Sequence, residues 1–260
     1  MSDPVPTIAT MDIRDRVAVV TGAAAGTGRV IAEHLAGLGA VVVVADTDDR
    51  LAREVSAGIR RRGGRGSAVR ADLLDAAGLD AIMECAEQLS GPHILVNNAG
   101  GWGAAGQAYP AATPEQWRAV FELNLHAPMA LTQRCLAPMA RLGGGAVVNI
   151  ASSAGRENGP YASPEYGAAK AALIRFTTSL ADLPASHRVR VNCVVPGWIG
   201  LERALAQVAA MAEAERARLP PLIPPADVAA AVADFIVDDS LSGRIAVLQG
   251  GRPRHLLDAS

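Results

Sequence analysis

Seven short runs rich in β-branched and small apolar residues recur along the chain: Val17–Thr21, Val41–Ala45, Ser67–Arg70, Ile94–Val96, Ala146–Ile150, Val189–Val195 and Ile245–Leu248. Between them lie longer Ala/Leu-rich stretches with helical spacing, at about 28–38, 48–62, 75–89, 114–141, 163–182 and 226–237. Several of the short runs are apolar at consecutive positions. A strand with one wet face would alternate instead, so these strands are expected to be buried on both faces of a parallel sheet. Parallel strands need crossover connections, and right-handed crossovers place helices on both sides of the sheet. The expected fold is α/β, a doubly wound, mainly parallel seven-stranded sheet with helices on both faces.

No internal repeat and no linker interrupts this alternation. The 260 residues are therefore read as a tail at 1–12 and one domain at 13–260. Residues 200–225 break the pattern with an Ala/Glu/Arg helix followed by Pro220, Pro221, Pro224 and Pro225, which suggests a lid. Aromatic residues make up only 3% of the chain, so the core must be built from Ala, Val, Leu and Ile. The formal net charge of −2 argues against a nucleic-acid partner, and the Arg60-Arg61-Arg62 run reads as a solvated helix end. No stretch approaches the length of a membrane span, and the acidic N-terminal region lacks the apolar segment of a signal peptide. Cys85, Cys135 and Cys193 form no C-x-x-C pair and read as reduced thiols of a cytoplasmic protein. The histidines show no metal-ligand spacing, and no metal is expected.

The first strand runs into Thr21-Gly22-Ala23-Ala24-Ala25-Gly26-Thr27-Gly28, directly before a helix. Glycine at such a turn lets the backbone approach a ligand, and the helix N-terminus offers free N–H groups to a pyrophosphate. This is the Rossmann-like context, strand, glycine turn, helix, and a second strand ending in the acid Asp46. Asp46 lies 18 residues after Gly28, near the spacing at which a carboxylate accepts from the ribose hydroxyls of a dinucleotide. Asp72, after the third strand, either caps the next helix or touches adenine.

Ser163-Pro164-Glu165 has the chemistry of a helix start: a capping hydroxyl, a proline at the first turn and an acid at the dipole. Tyr166 and Lys170 then fall four apart on one helix face. An ammonium beside a phenol favours the phenolate and suits the tyrosine to acid–base work. Ser152 and Ser153 end the fifth strand, at the sheet edge where doubly wound folds bind ligands. Asn124 sits in an apolar helical stretch and needs a partner, either a backbone group or a catalytic water.

Taken in order, T-G-x-x-x-G-x-G at 21–28, Asp46, Asp72-Leu73, Asn97-Asn98-Ala99-Gly100, Asn124, Asn149-x-x-Ser152, Tyr166-x-x-x-Lys170, Pro196-Gly197 and Gly250-Gly251 resemble the short-chain dehydrogenase/reductase family, in its shorter single-domain branch. The resemblance covers about residues 14–251. It implies hydride transfer between a nicotinamide cofactor and an alcohol or ketone. It assigns Tyr166 as general acid or base, Ser152 to the substrate oxygen, Lys170 to the nicotinamide ribose and Asn124 to a water of a proton relay. It places the cofactor against Gly22, Ala24, Gly26, Thr27, Gly28, Asp46, Asp72, Leu73, Asn98, Ala99, Gly100, Tyr166, Lys170, Pro196, Gly197 and Ile199. Three positions depart from the family pattern. Thr27 stands where Ile or Leu is usual, and Leu201 replaces a frequent nicotinamide-contacting Thr. Ser152 lies one residue further from Tyr166 than is commonest; it is preferred over Ser153 because its register from Asn149 and the strand fixes the hydroxyl.

NAD is expected over NADP, because Asp46 would oppose a 2′-phosphate while Ala25 and Thr47 supply no cation. Arg50 and Arg53 are the two side chains able to reach back. The alternatives are an NADP-dependent ketoreductase resembling 3-oxoacyl reductases and a non-catalytic dinucleotide-sensing relative. The absence of a further substrate domain argues against a nucleotide-sugar epimerase. The expected substrate is a small to medium alcohol or carbonyl compound with some polar decoration, walled by 101–109, 154–161 and 198–215. Trp102, Tyr109 and Trp198 would give apolar area there, and Arg156, Glu157, Asn158 and Arg203 polar contacts. The long helix 114–141, helix 163–182 and an edge strand at the end of the sheet suggest a homotetramer.

Overall fold

The computed structural model describes residues 10–103, 108–159 and 161–257. Eight strands form one sheet in the order β3-β2-β1-β4-β5-β6-β7-β8. They are β1 Val17–Thr21, β2 Val41–Asp46, β3 Arg65–Arg70, β4 Ile94–Asn97, β5 Gly145–Ile150, β6 Val189–Pro196, β7 Ile245–Leu248 and β8 His255–Leu257. The first seven run parallel, as expected. The eighth, antiparallel to β7, was not anticipated. Three residues, two of them exposed, carry too little apolar signal to be read as a strand. β8 covers the edge of β7 from within the chain, so that edge is not the unpaired one from which assembly was argued.

Successive residues of one strand enter different cores, which is why the runs are apolar throughout. Ala18 and Val20 of β1 pack with α1 (Gly26–Gly37), α2 (Asp49–Arg61) and α10 (Pro225–Val237) through Ile31, Leu35, Val55, Val232 and Phe235. Val17 and Val19 pack on the other face with α3 (Ala76–Gln88) and α5 (Ala127–Arg141) through Ile82, Leu131, Cys135 and Met139. Burying these strand positions on both faces, at about 25 cal/mol per Å² of apolar surface, is the main favourable contribution to folding. Cys135 and Cys193 are fully buried, and burial pushes both thiols up to about 12.

The stretch read as one helix at 114–141 is two. α4 (Pro114–Phe121) and α5 are joined by a π-turn, Glu122–His126, that contains Asn124. The catalytic-motif helix is α6 (Pro164–Ser179), followed by the short α7 (Leu183–His187). Residues 200–225 hold α8 (Glu202–Ala210) and α9 (Glu213–Arg216). At the N-terminus, residues 1–9 lie outside the described residues, whereas Thr10 and Met11 bond to Asp238 and Val237 at the end of α10. The sheet order reverses between β1 and β4. That switch point opens a crevice at the carboxyl ends of the strands, where ligands of such sheets bind.

Candidate active site

The glycine turn closes one side of this crevice. Gly22 adopts φ +62°. A Cβ on Gly28 would come within 2.1 Å of the Gly22 carbonyl, so only glycine lets the first turn of α1 lie this close to β1. The N-cap Ala25 has no capping side chain and the first turn carries no acid, which leaves the positive end of α1 to a ligand. Asn98 serves this turn: its Nδ2 donates to the carbonyls of Thr21 (2.9 Å) and Gly22 (3.2 Å). The backbone N–H groups of Asn98 and Ala99 donate to Thr21 Oγ1.

Asp46 ends β2 half-buried beside the turn. Its carboxylate accepts from the Ala24 N–H at 3.0 Å and the Asp48 N–H at 3.1 Å. Arg50 pairs with Glu54 at 2.5 Å and Arg53 with Asp49 at 2.8 Å, so both run along α2. Asp72 does not cap the next helix: Asp75 does, accepting from Ala77, while Asp72 accepts from the Leu74 N–H at 2.9 Å. Leu73 packs partly buried against the core. The residues present fit a nicotinamide dinucleotide: an uncapped helix end, a glycine cradle that a Cβ would fill, and a carboxylate at the ribose position.

Across the crevice stands the acid–base cluster. Tyr166 and Lys170 project from α6 and are 9% and 2% exposed. Lys170 Nζ donates to the Ile150 carbonyl at 2.9 Å and lies 5.7 Å from the centre of the Tyr166 ring. Ser152 lies beside the Tyr166 hydroxyl, close enough to oppose the rise of its phenol, and its Oγ accepts from the Ala154 N–H at 3.3 Å. Ser153 opens a single 3₁₀ turn instead. Burial pushes the Tyr166 phenol up to about 12, opposed by Ser152, and burial pulls the Lys170 ammonium down to about 8. The expectation that lysine favours the phenolate thus fails in this geometry. The ammonium is spent on a carbonyl, and desolvation dominates both groups. Tyr166 is held as a protonated donor.

Asn124 is completely buried. Its Oδ1 accepts from the Gly101 N–H at 3.1 Å, and its Nδ2 donates to the carbonyls of Gly101 (2.7 Å) and Val120 (2.8 Å). Of the two expected partners, the backbone group is present. The π-turn, a feature common at functional sites, leaves room for this clasp. A Cβ on Gly100 would lie 2.7 Å from Asn124 Oδ1 and 3.0 Å from Lys170 Nζ, so Gly100 lets β4's exit pass directly over both. Behind them Asn97 donates to Asn149 (2.8 Å), which donates to Thr177 (2.9 Å).

Ser163 does not cap α6. Its hydroxyl donates to Glu165 at 2.9 Å, and the buried Glu165 also accepts from the Tyr109 N–H at 3.3 Å. Pro196 ends β6, the Gly197 N–H donates to the Leu248 carbonyl, and Ile199 bridges to Ile223. Leu201 reaches the glycine turn: its Cδ1 would lie 3.5 Å from a Cβ on Gly26. Trp102 meets Tyr166 edge to face at 5.9 Å, Tyr161 stacks on Tyr166 at 6.2 Å, and Arg203 lies over Trp102 at 4.8 Å. The Tyr161 stack was missed, because nothing in its local sequence pairs it with Tyr166. Part of the wall expected at 101–109, residues 104–107, falls outside the described residues.

Among the described residues no group of acids, histidines and cysteines is placed to hold a metal, and no helix is long and apolar enough to cross a membrane. His93 is buried and accepts from the Val17 N–H. The arginine run is engaged in part: Arg60 donates to Ser56 and the Gly66 carbonyl, and Arg62 pairs with Glu33.

Comparison with known proteins agrees with this arrangement. The family described as short chain dehydrogenase matches residues 16–211. A 4-formylbenzenesulfonate dehydrogenase of Comamonas testosteroni is 36% identical over 93% of this chain and 99% of its own length. A cis-4-hydroxycyclohexanecarboxylate dehydrogenase of Sinomonas cyclohexanicum is 35% identical over 91% of this chain and 96% of its own. A solved 7α-hydroxysteroid dehydrogenase, complexed with NADH and 7-oxo glycochenodeoxycholic acid, superposes with a TM-score of 0.83 at 30% identity, covering 92% of this chain and 96% of that one. Matched over most of its length in sequence and in fold, the chain belongs to the short-chain dehydrogenase/reductase family.

Proposed function

We propose that this oxidoreductase uses NAD in preference to NADP to interconvert a small to medium alcohol and its carbonyl compound, with Tyr166, Ser152, Lys170 and Asn124 as the working set. The observation that carries the reading is the buried Tyr166–Lys170 pair on α6, with the Lys170 ammonium bonded to the Ile150 carbonyl at the end of β5, two residues before Ser152. The nicotinamide, when bound, supplies or accepts the hydride. In reduction, the Tyr166 hydroxyl gives its proton to the substrate oxygen as the carbonyl carbon is reduced. In oxidation, the side chain must first lose its proton, and the phenolate then receives the alcohol proton. Ser152 orients that oxygen beside the phenol. Lys170, its ammonium held by the Ile150 carbonyl, would bind the nicotinamide ribose. Asn124 holds the Gly101 backbone, and with it the loop that shapes the substrate side.

The preference for NAD is supported by Asp46. A second negative charge about 4 Å away would be repelled by roughly 4 kcal/mol at an effective dielectric of 20. The two candidate cations, Arg50 and Arg53, are paired along α2. Two relatives that align over more than nine-tenths of this chain are named for ring compounds bearing a sulfonate or a carboxylate, a size that suits the mouth around Trp102 and Tyr161. We read the chain as one cytoplasmic catalytic domain with residues 200–225 as its lid, assembled as a homotetramer.

The test is turnover of a panel of primary and secondary alcohols, aldehydes and ketones with both cofactors, wild type against Tyr166→Phe. The variant is expected to fall below a tenth of wild-type kcat while binding cofactor normally, because only the proton donor is removed. Activity above that level refutes the assignment.

A further inference from the structure

Four large apolar side chains around the crevice mouth remain open to solvent: Trp102, Tyr109, Tyr161 and, on α8, Leu205. Two of them frame the acid–base tyrosine. Trp102 stands at 87° to the Tyr166 ring and Tyr161 lies within 22° of parallel to it. Aromatic groups left partly exposed beside a proton donor form a slot for a flat or chair-shaped ring.

The slot has one charged end. Arg203, from the first turn of α8, places its guanidinium 4.8 Å from the Trp102 ring centre. Among the described residues it makes no ion pair, so its charge is available to a ligand. A guanidinium held over an indole face keeps its N–H donors available, and its fork suits bidentate capture of a carboxylate or sulfonate. On the far side of Tyr166, burial, and after it the Glu157 carboxylate, raise the Tyr161 phenol.

We propose that the substrate is a ring compound bearing its alcohol or carbonyl at one end and an anionic carboxylate or sulfonate at the other, with the ring between Trp102 and Tyr161 and the anion on Arg203. The row Tyr166, Trp102, Arg203 sets the length: a six-membered ring substituted at opposite positions reaches from the phenol to the guanidinium. The stack also couples recognition to the lid. Arg203 belongs to α8, and Leu201 just before it rests on the glycine turn, so an anion held by Arg203 draws α8 across both halves of the crevice.

This inference rests on the dehydrogenase reading above, and the experiment separates the two. kcat/KM is measured with NAD for 4-(hydroxymethyl)benzoate and for its neutral match, 4-(hydroxymethyl)benzamide, in wild type, Arg203→Gln and Arg203→Lys. Simple secondary alcohols are run alongside. Wild type should favour the carboxylate at least tenfold. Arg203→Gln should bring the ratio near one, and Arg203→Lys should restore part of it, since charge returns without the planar fork. Raising ionic strength should shrink the wild-type preference and leave that of Arg203→Gln flat. If Arg203 is only a clasp for α8, its loss lowers both substrates alike and leaves the ratio intact, which overturns the proposal. Equal turnover of carboxylate and amide by wild type overturns it too, as does turnover confined to the simple alcohols; in both cases the dehydrogenase reading stands. Failure of every alcohol and carbonyl compound with both cofactors overturns the dehydrogenase reading itself.

Discussion

Replacing Lys170 by Met should make the stability gap between variant and wild type depend on pH. The lysine is fully buried, and its ammonium is pulled from 10.5 in a free chain to about 8. Between those values the unfolded chain binds more protons than the folded one, so wild-type stability rises as pH rises through that window. At pH 7 the group is charged in both states, and forcing the buried ammonium costs about 3 kcal/mol relative to an unshifted lysine. At pH 9.5 most of that cost has gone, a gain of about 2 kcal/mol, or roughly 4–8 °C in Tm for a chain of this size. Lys170→Met removes the ammonium with little loss of volume. It also strips the Ile150 carbonyl of its donor, at about 1–3 kcal/mol, but that term does not change with pH and cancels in the comparison. Neighbouring groups do not interfere. Tyr166 and Cys193 are both pushed up to about 12 and stay neutral in the folded protein throughout, in variant and wild type alike. The assay is urea unfolding of both proteins at pH 7 and pH 9.5 without cofactor. A gap that stays constant within about 0.5 kcal/mol, or that moves in the variant's favour as pH rises, would refute the reasoning.

Ser152→Ala should reduce kcat more than Ser153→Ala, since Ser152 is the serine that lies beside the Tyr166 hydroxyl while Ser153 opens the 3₁₀ turn; the reverse order would assign the substrate oxygen to Ser153. Asp46→Ala should shrink the NAD over NADP ratio of kcat/KM at least tenfold, and an unchanged ratio would place the source of selectivity elsewhere. Arg190→Met should cost roughly 3–5 kcal/mol in urea unfolding without altering cofactor selectivity. Its guanidinium, buried in the sheet, caps the end of α10 through the carbonyls of Phe235, Ile236 and Asp238, and pairs with Asp239. A loss under 1 kcal/mol would show that water replaces it.

The sheet was legible because its strands are buried on both faces, and a run such as Val41–Val44 admits few other environments. The glycine turn was legible for a related reason: Gly22 and Gly28 are demanded by backbone geometry, and such demands are local in sequence. What could not be read depends on contacts between distant segments. Glu122-Leu123-Asn124-Leu125-His126 has an ordinary helical composition, and its π-turn is selected by Asn124 meeting Gly101, 23 positions away. Ser163 looked like a cap because Ser before Pro so often is one; here the nearby Glu165 competes for its hydroxyl. Asp72 was read as either a cap or an adenine contact; the helix begins later, at Ala76, and Asp75 caps it. The effect of Lys170 on Tyr166 was misjudged because spacing fixes which face two side chains share and says nothing of the carbonyl that claims the ammonium.

The buried polar groups are not spread evenly, and their placement explains what the fold gives up for the site. Asn97, Asn124, Asn149, Glu165, Lys170 and Thr177 are all at least nine-tenths buried, and all lie along the carboxyl ends of β4 and β5 or on the segments packed over them. Apolar residues of similar volume would cost less to bury. Even within the network one acceptor is left over, Asn97 Oδ1, at about 1–3 kcal/mol if no water reaches it. Each of these side chains joins two segments that have no covalent reason to keep register. Asn97 and Asn149 tie β4 to β5, Thr177 ties them to α6, Asn124 ties the π-turn to Gly101, and Glu165 ties α6 to Tyr109. Apolar packing tolerates shifts of about a methyl group, whereas a directed hydrogen bond weakens steeply when its angle opens. On the proposed mechanism, hydride and proton transfer need Ser152, Tyr166 and Lys170 held to well under an ångström. The polar layer supplies that precision, and the continuous Val/Ala/Ile sheet beneath it supplies the stability it consumes.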